Sequence, residues 1–123
     1  MPKLTVEGLP PAEVTRGTRL VNAIEGLGVD IGHRCGGKAR CTTCRVHFLE
    51  GEPHDMTRAE YDKLSAEGLL DQVRLSCQIV LDHDMSVRPL MRARDQGWPD
   101  LGPRPADTVE PDPERIARDA LEG

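Results

Sequence analysis

GHRCGGKARCTTCRV, residues 32–46, holds three of the four cysteines of the chain, together with three glycines and four lysines or arginines. Five residues separate Cys35 from Cys41, two separate Cys41 from Cys44, and Cys77 lies far along the chain. The first residues lack the apolar segment of a signal peptide, and thiols in a reducing compartment bind metals or react more often than they form disulfides. We therefore predict a metal or reactive site at this loop.

Three kinds of site compete for these cysteines. A redox-active C-x-x-C pair would use Cys41 and Cys44 alone, but such a pair normally opens a helix, whereas residues 45–51 alternate like a strand. A structural zinc site usually takes its thiolates from two C-x2-4-C pairs, and here Cys77 stands alone. The third kind is an iron–sulfur cluster, in which four thiolates surround bridged irons.

The small residues between the cysteines favour the iron–sulfur cluster. Gly36 and Gly37 have no Cβ, so they can adopt positive φ and bring backbone N–H groups close to an anionic cofactor. Ala39, Thr42 and Thr43 are small or hydroxylated, which suits a tightly wrapped loop with O–H donors to sulfur. We predict that these five residues form the environment of the cluster.

The hydrophobic pattern of the remaining segments favours an α+β fold of the β-grasp type, a mixed sheet with a helix packed across it and a cofactor-binding loop, although periodicity alone also allows other arrangements. A helix should begin at the N-cap Thr18, and another should follow the capping box that starts at Thr57. Alternating or turn-bounded stretches predict strands at 3–6, 12–16, 45–51, 73–81 and 85–87. The acidic sequence DHD at 82–84 is interpreted as a hairpin turn and not as a metal site.

The composition changes after residue 91. We predict a first domain at 1–91 and a proline-rich C-terminal tail at 92–123. Asp112 and Pro113 could cap and start a short terminal helix, with apolar residues on one side at Ile116, Ala117, Ala120 and Leu121. Such a tail can fold back on its own domain or stay mobile, or it can serve as an arm that docks a partner.

The motifs CGGKARCTTC, RLSCQIVL and MSVRP resemble those of the [2Fe-2S] ferredoxins over residues 3–90. The five-residue first gap is similar to that of the adrenodoxin-type branch. The resemblance implies that Cys35, Cys41, Cys44 and Cys77 bind one [2Fe-2S] cluster in a β-grasp domain. It also implies one-electron transfer between a flavoprotein reductase and an electron-accepting enzyme.

We accordingly expect an electron-transfer protein that is not an enzyme. No serine pairs with a histidine as a nucleophile, and no phosphate-binding glycine loop follows a strand. The sequence leaves two alternative functions open. One is a zinc-stapled protein-interaction module, and the other is a dedicated electron-transfer subunit of an oxidoreductase complex.

The charge distribution points to protein partners. The net charge is −5, and residues 50–71 account for all of it, with seven acidic and two basic side chains. In adrenodoxin-like proteins the corresponding helix carries docking acids, so the resemblance makes Glu60, Asp62 and Glu67 candidate docking residues, although a merely solvated helix face has the same pattern.

Other locations and partners fit the sequence less well. The negative charge and the 2% of aromatic residues argue against nucleic-acid binding. No apolar run approaches the roughly 20 residues that span a bilayer, so we expect no membrane insertion and a cytoplasmic location.

Overall fold

The computed structural model of the protein describes residues 1–32, 43–92, 96–97, 105–110, 114–117 and 120–121. Its elements are, in chain order, β1 (Lys3–Val6), β2 (Ala12–Glu13), α1 (Leu20–Gly26), β3 (Arg45–Glu50), β4 (Asp55–Met56), α2 (Arg58–Ala66), β5 (Arg74–Leu75), a 3-10 turn (Ser76–Gln78), β6 (Met85–Pro89) and β7 (Ile116–Ala117).

Five strands form a mixed sheet in the order β2-β1-β6-β3-β5. β1 runs parallel to β6 and antiparallel to β2, while β3 is antiparallel to both β6 and β5. β4 and β7 form a separate antiparallel pair. The predicted α+β fold of the β-grasp type is confirmed by this arrangement.

The core is aliphatic, as the scarcity of aromatic residues requires. Leu4 and Val6 of β1, Val46 of β3 and Val87 of β6 are buried in the sheet. α1 buries the apolar side of its seven residues, namely Leu20, Val21, Ala23 and Ile24. The backbone N–H of Leu20 donates to the Ile79 carbonyl at 2.8 Å, so the start of α1 is tied to the segment that follows Cys77.

α1 begins one residue later than the sequence predicts. Its N-cap is Arg19, because Thr18 closes a turn instead. The Thr18 backbone N–H and Oγ1 both donate to the Thr15 carbonyl, at 3.2 and 2.7 Å. The same turn explains why β2 ends at Glu13 and does not continue to residue 16.

The predicted strand at 73–81 is wrong for Cys77. Only Arg74 and Leu75 pair with β3, and the chain then enters the 3-10 turn that contains Cys77. The turn forms because Ser76 donates twice to the Cys44 carbonyl, through its backbone N–H at 3.2 Å and through Oγ at 2.7 Å. The expected hairpin at 82–84 is also absent, since β6 pairs with β1 and β3 and not with the preceding segment.

The described parts of the tail fold back on the sheet domain. Ile116 and Ala117 are in β7 and pair with Met56 and Asp55, so the terminal helix predicted for them is wrong. Pairing with β4 gives their backbone N–H and C=O groups hydrogen-bond partners, which a helix would have supplied from within itself. Ala120 and Leu121 are helical, whereas Asp112 and Pro113 lie outside the described residues. The domain boundary at residue 91 stays a prediction.

Gly51 is required where the chain leaves β3. Its φ is +78°, and a Cβ at this position would collide with the Asp84 carbonyl oxygen. We expect Gly51→Ala to lower the free energy of unfolding by about 2–4 kcal/mol, because positive-φ strain adds to a backbone clash. Gly8→Ala is the matched control, since Gly8 has a φ of +90° and open space around it. Urea titration should show a loss of about 1 kcal/mol for the control; equal losses in the two variants would contradict the clash.

Candidate metal centre

Cys44 and Cys77 are held at the same end of one strand pair. Cys44 directly precedes β3, Cys77 follows β5, and Arg45 lies opposite Leu75 in the antiparallel register. The two hydrogen bonds from Ser76 to the Cys44 carbonyl fasten the two segments to each other. Both cysteine-bearing segments are therefore positioned by the edge of the five-stranded sheet.

Both cysteines are buried. Cys44 is 3% exposed and Cys77 is 0% exposed. Thiolates are soft ligands that suit iron–sulfur clusters and zinc. Two buried thiols on adjoining, rigidly connected segments fit half of a four-thiolate cluster site.

Of the other residues predicted to surround or bind the cluster, only one lies within the described part of the chain. Thr43 is described and is buried next to Cys44. Cys35, Cys41, Gly36, Gly37, Ala39 and Thr42 lie outside the described residues. Within the described ranges, which hold two of the four cysteines, no group of three metal-ligating side chains occurs.

Gln78 contacts the sulfur of Cys77. Its Nε2 lies 3.5 Å from Cys77 Sγ and acts as the donor, while its Oε1 accepts from Thr57 Oγ1 at 2.6 Å. The contact with Thr57 orients the amide, because Thr57 is itself fixed as the N-cap of α2. An N–H donor at a ligand sulfur stabilises negative charge on it. Gln78 was not predicted from the sequence, although a glutamine inside the apolar run RLSCQIVL is a signal of a buried polar role.

Arg19 contacts the backbone of Cys77. The side chain is 0% exposed, and its Nε and Nη2 donate to the Cys77 carbonyl at 3.0 and 2.6 Å. A buried arginine places a positive charge beside the backbone of Cys77. Arg19 was not predicted either, since an arginine before an amphipathic helix is ordinarily exposed.

Glu60 does not lie on the docking surface expected for it. It is 0% exposed, and its carboxylate accepts from Arg74 Nε at 2.7 Å, Arg74 Nη2 at 3.1 Å and the Leu75 backbone N–H at 2.8 Å. Burial alone would lower the pKa of Arg74, but the adjacent Glu60 carboxylate outweighs burial and raises that pKa above its ordinary value. Glu60 therefore anchors β5, the strand that leads to Cys77, and this corrects its expected role.

The other two candidate docking residues are on the surface. Asp62 is exposed on α2 and Glu67 is exposed at the C-cap of α2, where it forms an ion pair with Lys63 at 3.0 Å. Their side chains are accessible to a partner.

The DHD sequence joins the tail to the sheet domain. His83 Nδ1 lies 2.6 Å from Asp82 Oδ1, and His83 Nε2 lies 2.7 Å from the Gly51 carbonyl. Arg115, in the tail, donates to Asp82 at 2.8 Å. The hydrogen bond to the Gly51 carbonyl, together with Asp82, raises the pKa of His83 above its ordinary 6.5. Burial would raise the pKa of Asp82, but its bonds to Arg115 and His83 lower it below 3.8.

These shifts predict how His83 contributes to stability. Because its pKa is raised in the folded state, the contribution is fully present below about pH 6.5 and is lost as the pH rises through the folded pKa. The side chain is 44% exposed, so solvent screening limits the effect to less than about 1 kcal/mol. The stability deficit of His83→Gln, measured by urea titration, should be larger at pH 6 than at pH 9, where Asp82 stays ionised. A deficit that is equal at the two pH values would contradict this.

The model of the 2Fe-2S iron-sulfur cluster binding domain family matches residues 5–82. The chain belongs to this family. The matched range contains all four cysteines and every strand of the five-stranded sheet except β6 and the start of β1. The predicted [2Fe-2S] cofactor is confirmed by this membership, and the zinc-stapled module is not favoured.

Two curated relatives of different lengths are similar to this chain. The chain is 36% identical over 77 residues to a 2Fe-2S ferredoxin of Haemophilus influenzae, covering 58% of this chain and 66% of that protein. It is 34% identical over 71 residues to one subunit of the Na(+)-translocating NADH-quinone reductase of Idiomarina loihiensis, covering 58% of this chain. The chain spans 17% of the length of that relative.

Solved structures give the same fold. The ISC-like [2Fe-2S] ferredoxin of Pseudomonas putida superposes with a TM-score of 0.60 at 28% identity, over 72% of this chain and 91% of that one. An Amycolatopsis cytochrome P450 reductase superposes with a TM-score of 0.56 at 27% identity, over 73% of this chain and 26% of that one. In the part of the chain that the structure describes, none of the helices has the length and apolar composition of a membrane span.

Proposed function

We propose that the chain is a one-electron carrier that receives electrons from a flavoprotein reductase and passes them to an electron-accepting enzyme. The observation that carries this proposal is that the buried residues Cys44 and Cys77 lie on two segments that the Ser76–Cys44 hydrogen bonds join at the end of the β3–β5 pair. With Cys35 and Cys41 they supply the four thiolates that a [2Fe-2S] cluster needs.

The cluster, when bound, supplies the site that accepts and releases a single electron. The protein contributes a rigid frame around it. Ser76 fixes the spacing of two ligand segments, and Gln78 donates to the Cys77 sulfur. Arg19 holds the Cys77 carbonyl and brings a positive charge close to the thiolate. We infer that the loop residues Gly36, Gly37, Ala39, Thr42 and Thr43 wrap the remaining side.

The proposal extends to the branch of the family, the location of the protein and its reductase partner. The five-residue gap between Cys35 and Cys41 supports placement in the adrenodoxin-type branch. We place the protein in the cytoplasm and give it no catalytic constellation of its own. The reductases among its relatives, of which it spans a small part, support a reductase as one partner.

An anaerobic relay assay tests the carrier role. NADPH and a flavoprotein ferredoxin reductase should reduce cytochrome c at a rate that rises with the concentration of the holoprotein and then saturates. Variants that lack a cysteine ligand should give only the background rate. Background turnover with cluster-loaded wild-type protein would contradict the proposal.

The acids on α2 give this assay a salt dependence. Asp62 and Glu67 are exposed and lie in the segment that carries the net charge of the chain, so they should steer a basic reductase surface. We expect the double variant Asp62→Asn, Glu67→Gln to slow reduction about three- to tenfold at low salt and to flatten the decline with ionic strength. Glu13→Gln is the control, since Glu13 is exposed on β2, at the far edge of the sheet from β5. An equal effect of the control would contradict docking at α2.

A further inference from the structure

Residues 105–110 of the tail, here called the tail strap, lie against the two side chains that contact Cys77. Arg19 Nη1 donates to the Ala106 carbonyl at 2.8 Å, while its Nε and Nη2 donate to the Cys77 carbonyl. Gln78 Nε2 donates to the Glu110 carbonyl at 2.6 Å and also contacts Cys77 Sγ. Both side chains therefore bridge the tail strap and the cluster ligand.

The strap is packed and is held on both sides of these contacts. Pro105 and Val109 are buried, and Asn22 of α1 donates to the Ala106 carbonyl at 3.2 Å. Further along the chain, β7 pairs with β4, and Arg115 bonds to Asp82. The strap thus covers Arg19 and Gln78, which are 0% and 1% exposed.

These contacts affect how well the site stabilises the negative charge that reduction adds to the cluster. An N–H donor at a ligand sulfur and a buried guanidinium beside the ligand backbone both stabilise added negative charge. Their effect is strong only if they keep a fixed orientation in a region from which water is excluded. The Ala106 and Glu110 carbonyls supply part of that orientation, and the buried strap residues exclude water.

We propose that the tail strap is a positioning element that holds Arg19 and Gln78 against Cys77 and thereby raises the reduction potential of the cluster. This inference rests on the proposed function, because it requires the cluster to bind at Cys77. It gives the tail a role within the electron carrier itself. Arg19 and Gln78 are positioning residues in this scheme, and they act through the Cys77 ligand.

Two truncations of the holoprotein separate the strap from the rest of the tail. Ending the chain after residue 110 keeps the Ala106 and Glu110 carbonyls, whereas ending it after residue 104 removes them. Anaerobic potentiometry should give the 110 truncation a potential close to that of the full chain. The 104 truncation should show a reduction equilibrium about tenfold less favourable, which is about 59 mV for a one-electron couple. Equal potentials for the two truncations would overturn the proposal.

Substitution of Gln78 provides a second, independent test of the proposal. Gln78→Met keeps the size of the side chain and removes its donor, so it should lower the potential of the full chain. In the Gln78→Met background, removal of residues 105–123 should lower the potential by less than it does in the wild type, because part of the strap acts through Gln78. If the 104 truncation loses its iron, an unchanged potential in full-length Gln78→Met overturns the proposal.

The same measurements distinguish this inference from the proposed function. A full chain that binds no iron or accepts no electron would refute the carrier role itself. A full chain that is reduced by one electron, with the same potential in the 104 and 110 truncations, would refute only the role of the strap.

Discussion

Replacing Glu60 with glutamine should destabilise the protein by about 3–5 kcal/mol, because it leaves the buried Arg74 guanidinium without its main compensating charge. The carboxylate accepts from two nitrogens of Arg74 and from the Leu75 backbone N–H, all within 3.1 Å. In a urea titration of the holoprotein, followed by far-UV circular dichroism and visible absorption, the midpoint should fall by more than about 1 M.

The matched control for Glu60→Gln is Glu67→Gln, at the C-cap of the same helix. Glu67 is exposed and forms a surface ion pair with Lys63, so its replacement should change stability by less than about 0.5 kcal/mol. If both variants unfolded at the same urea concentration as the wild type, the Glu60–Arg74 pair would not support the strand that leads to Cys77. The relay assay adds a second distinction, since Glu60→Gln should leave its dependence on salt unchanged.

The largest effect of any substitution should come from the cysteines. Cys77→Ser and Cys44→Ser should each reduce the iron content from about two per chain to a small fraction of that value, because a hard hydroxyl poorly replaces a thiolate. Inductively coupled plasma mass spectrometry on anaerobically purified protein measures the loss. Visible absorption should fall in proportion.

Ser76→Ala is the control for the cysteine variants. It removes the 2.7 Å bond from the Ser76 hydroxyl to the Cys44 carbonyl, but it keeps every thiol and the second bond between the two segments, from the Ser76 backbone N–H to the same carbonyl. We expect this variant to retain its iron and to lose about 1 kcal/mol of stability. Full iron content in Cys77→Ser would contradict the assignment of Cys77 as a ligand.

Local patterns in the sequence predicted the fold class and the cofactor. β1 has the predicted bounds, 3–6, because its residues alternate between faces. α2 begins as predicted, since the Thr57 side chain accepts from the Glu60 backbone N–H at 3.1 Å. Cysteine spacing and interspersed glycines, which are local features, favoured an iron–sulfur site, and the resemblance to the [2Fe-2S] ferredoxins implied the kind of cluster.

Features that depend on distant contacts were not predictable. The turn at Cys77 depends on the hydrogen bond from Ser76 to the carbonyl of Cys44, 32 residues away. An apolar stretch of sequence gives no indication of such a bond. The conformation of Ile116 and Ala117 was decided by pairing with β4, although their apolar pattern also fits a helix. The capping box correctly placed Glu60 on α2. It did not show that the Glu60 carboxylate points inward, because that depends on the ion pair with Arg74, 14 residues later.

The two side chains that contact Cys77 were also not predictable. Arg19 and Gln78 acquire their roles through contacts with Cys77, Ala106 and Glu110, which come from separate parts of the chain. Only their polarity beside apolar segments was visible in the sequence. The positioning role that we propose for this buried arginine and this buried glutamine rests on contacts that form only when the tail folds onto them.

The measurement that tests the central claim most directly is electron paramagnetic resonance of anaerobically purified protein before and after dithionite, with iron, sulfide and zinc analysis of the same sample. We predict about two irons and two sulfides per chain, no signal before reduction, and a spin-half signal of about one spin per chain afterwards. A colourless protein that carries one zinc per chain and shows no signal after dithionite would contradict the account.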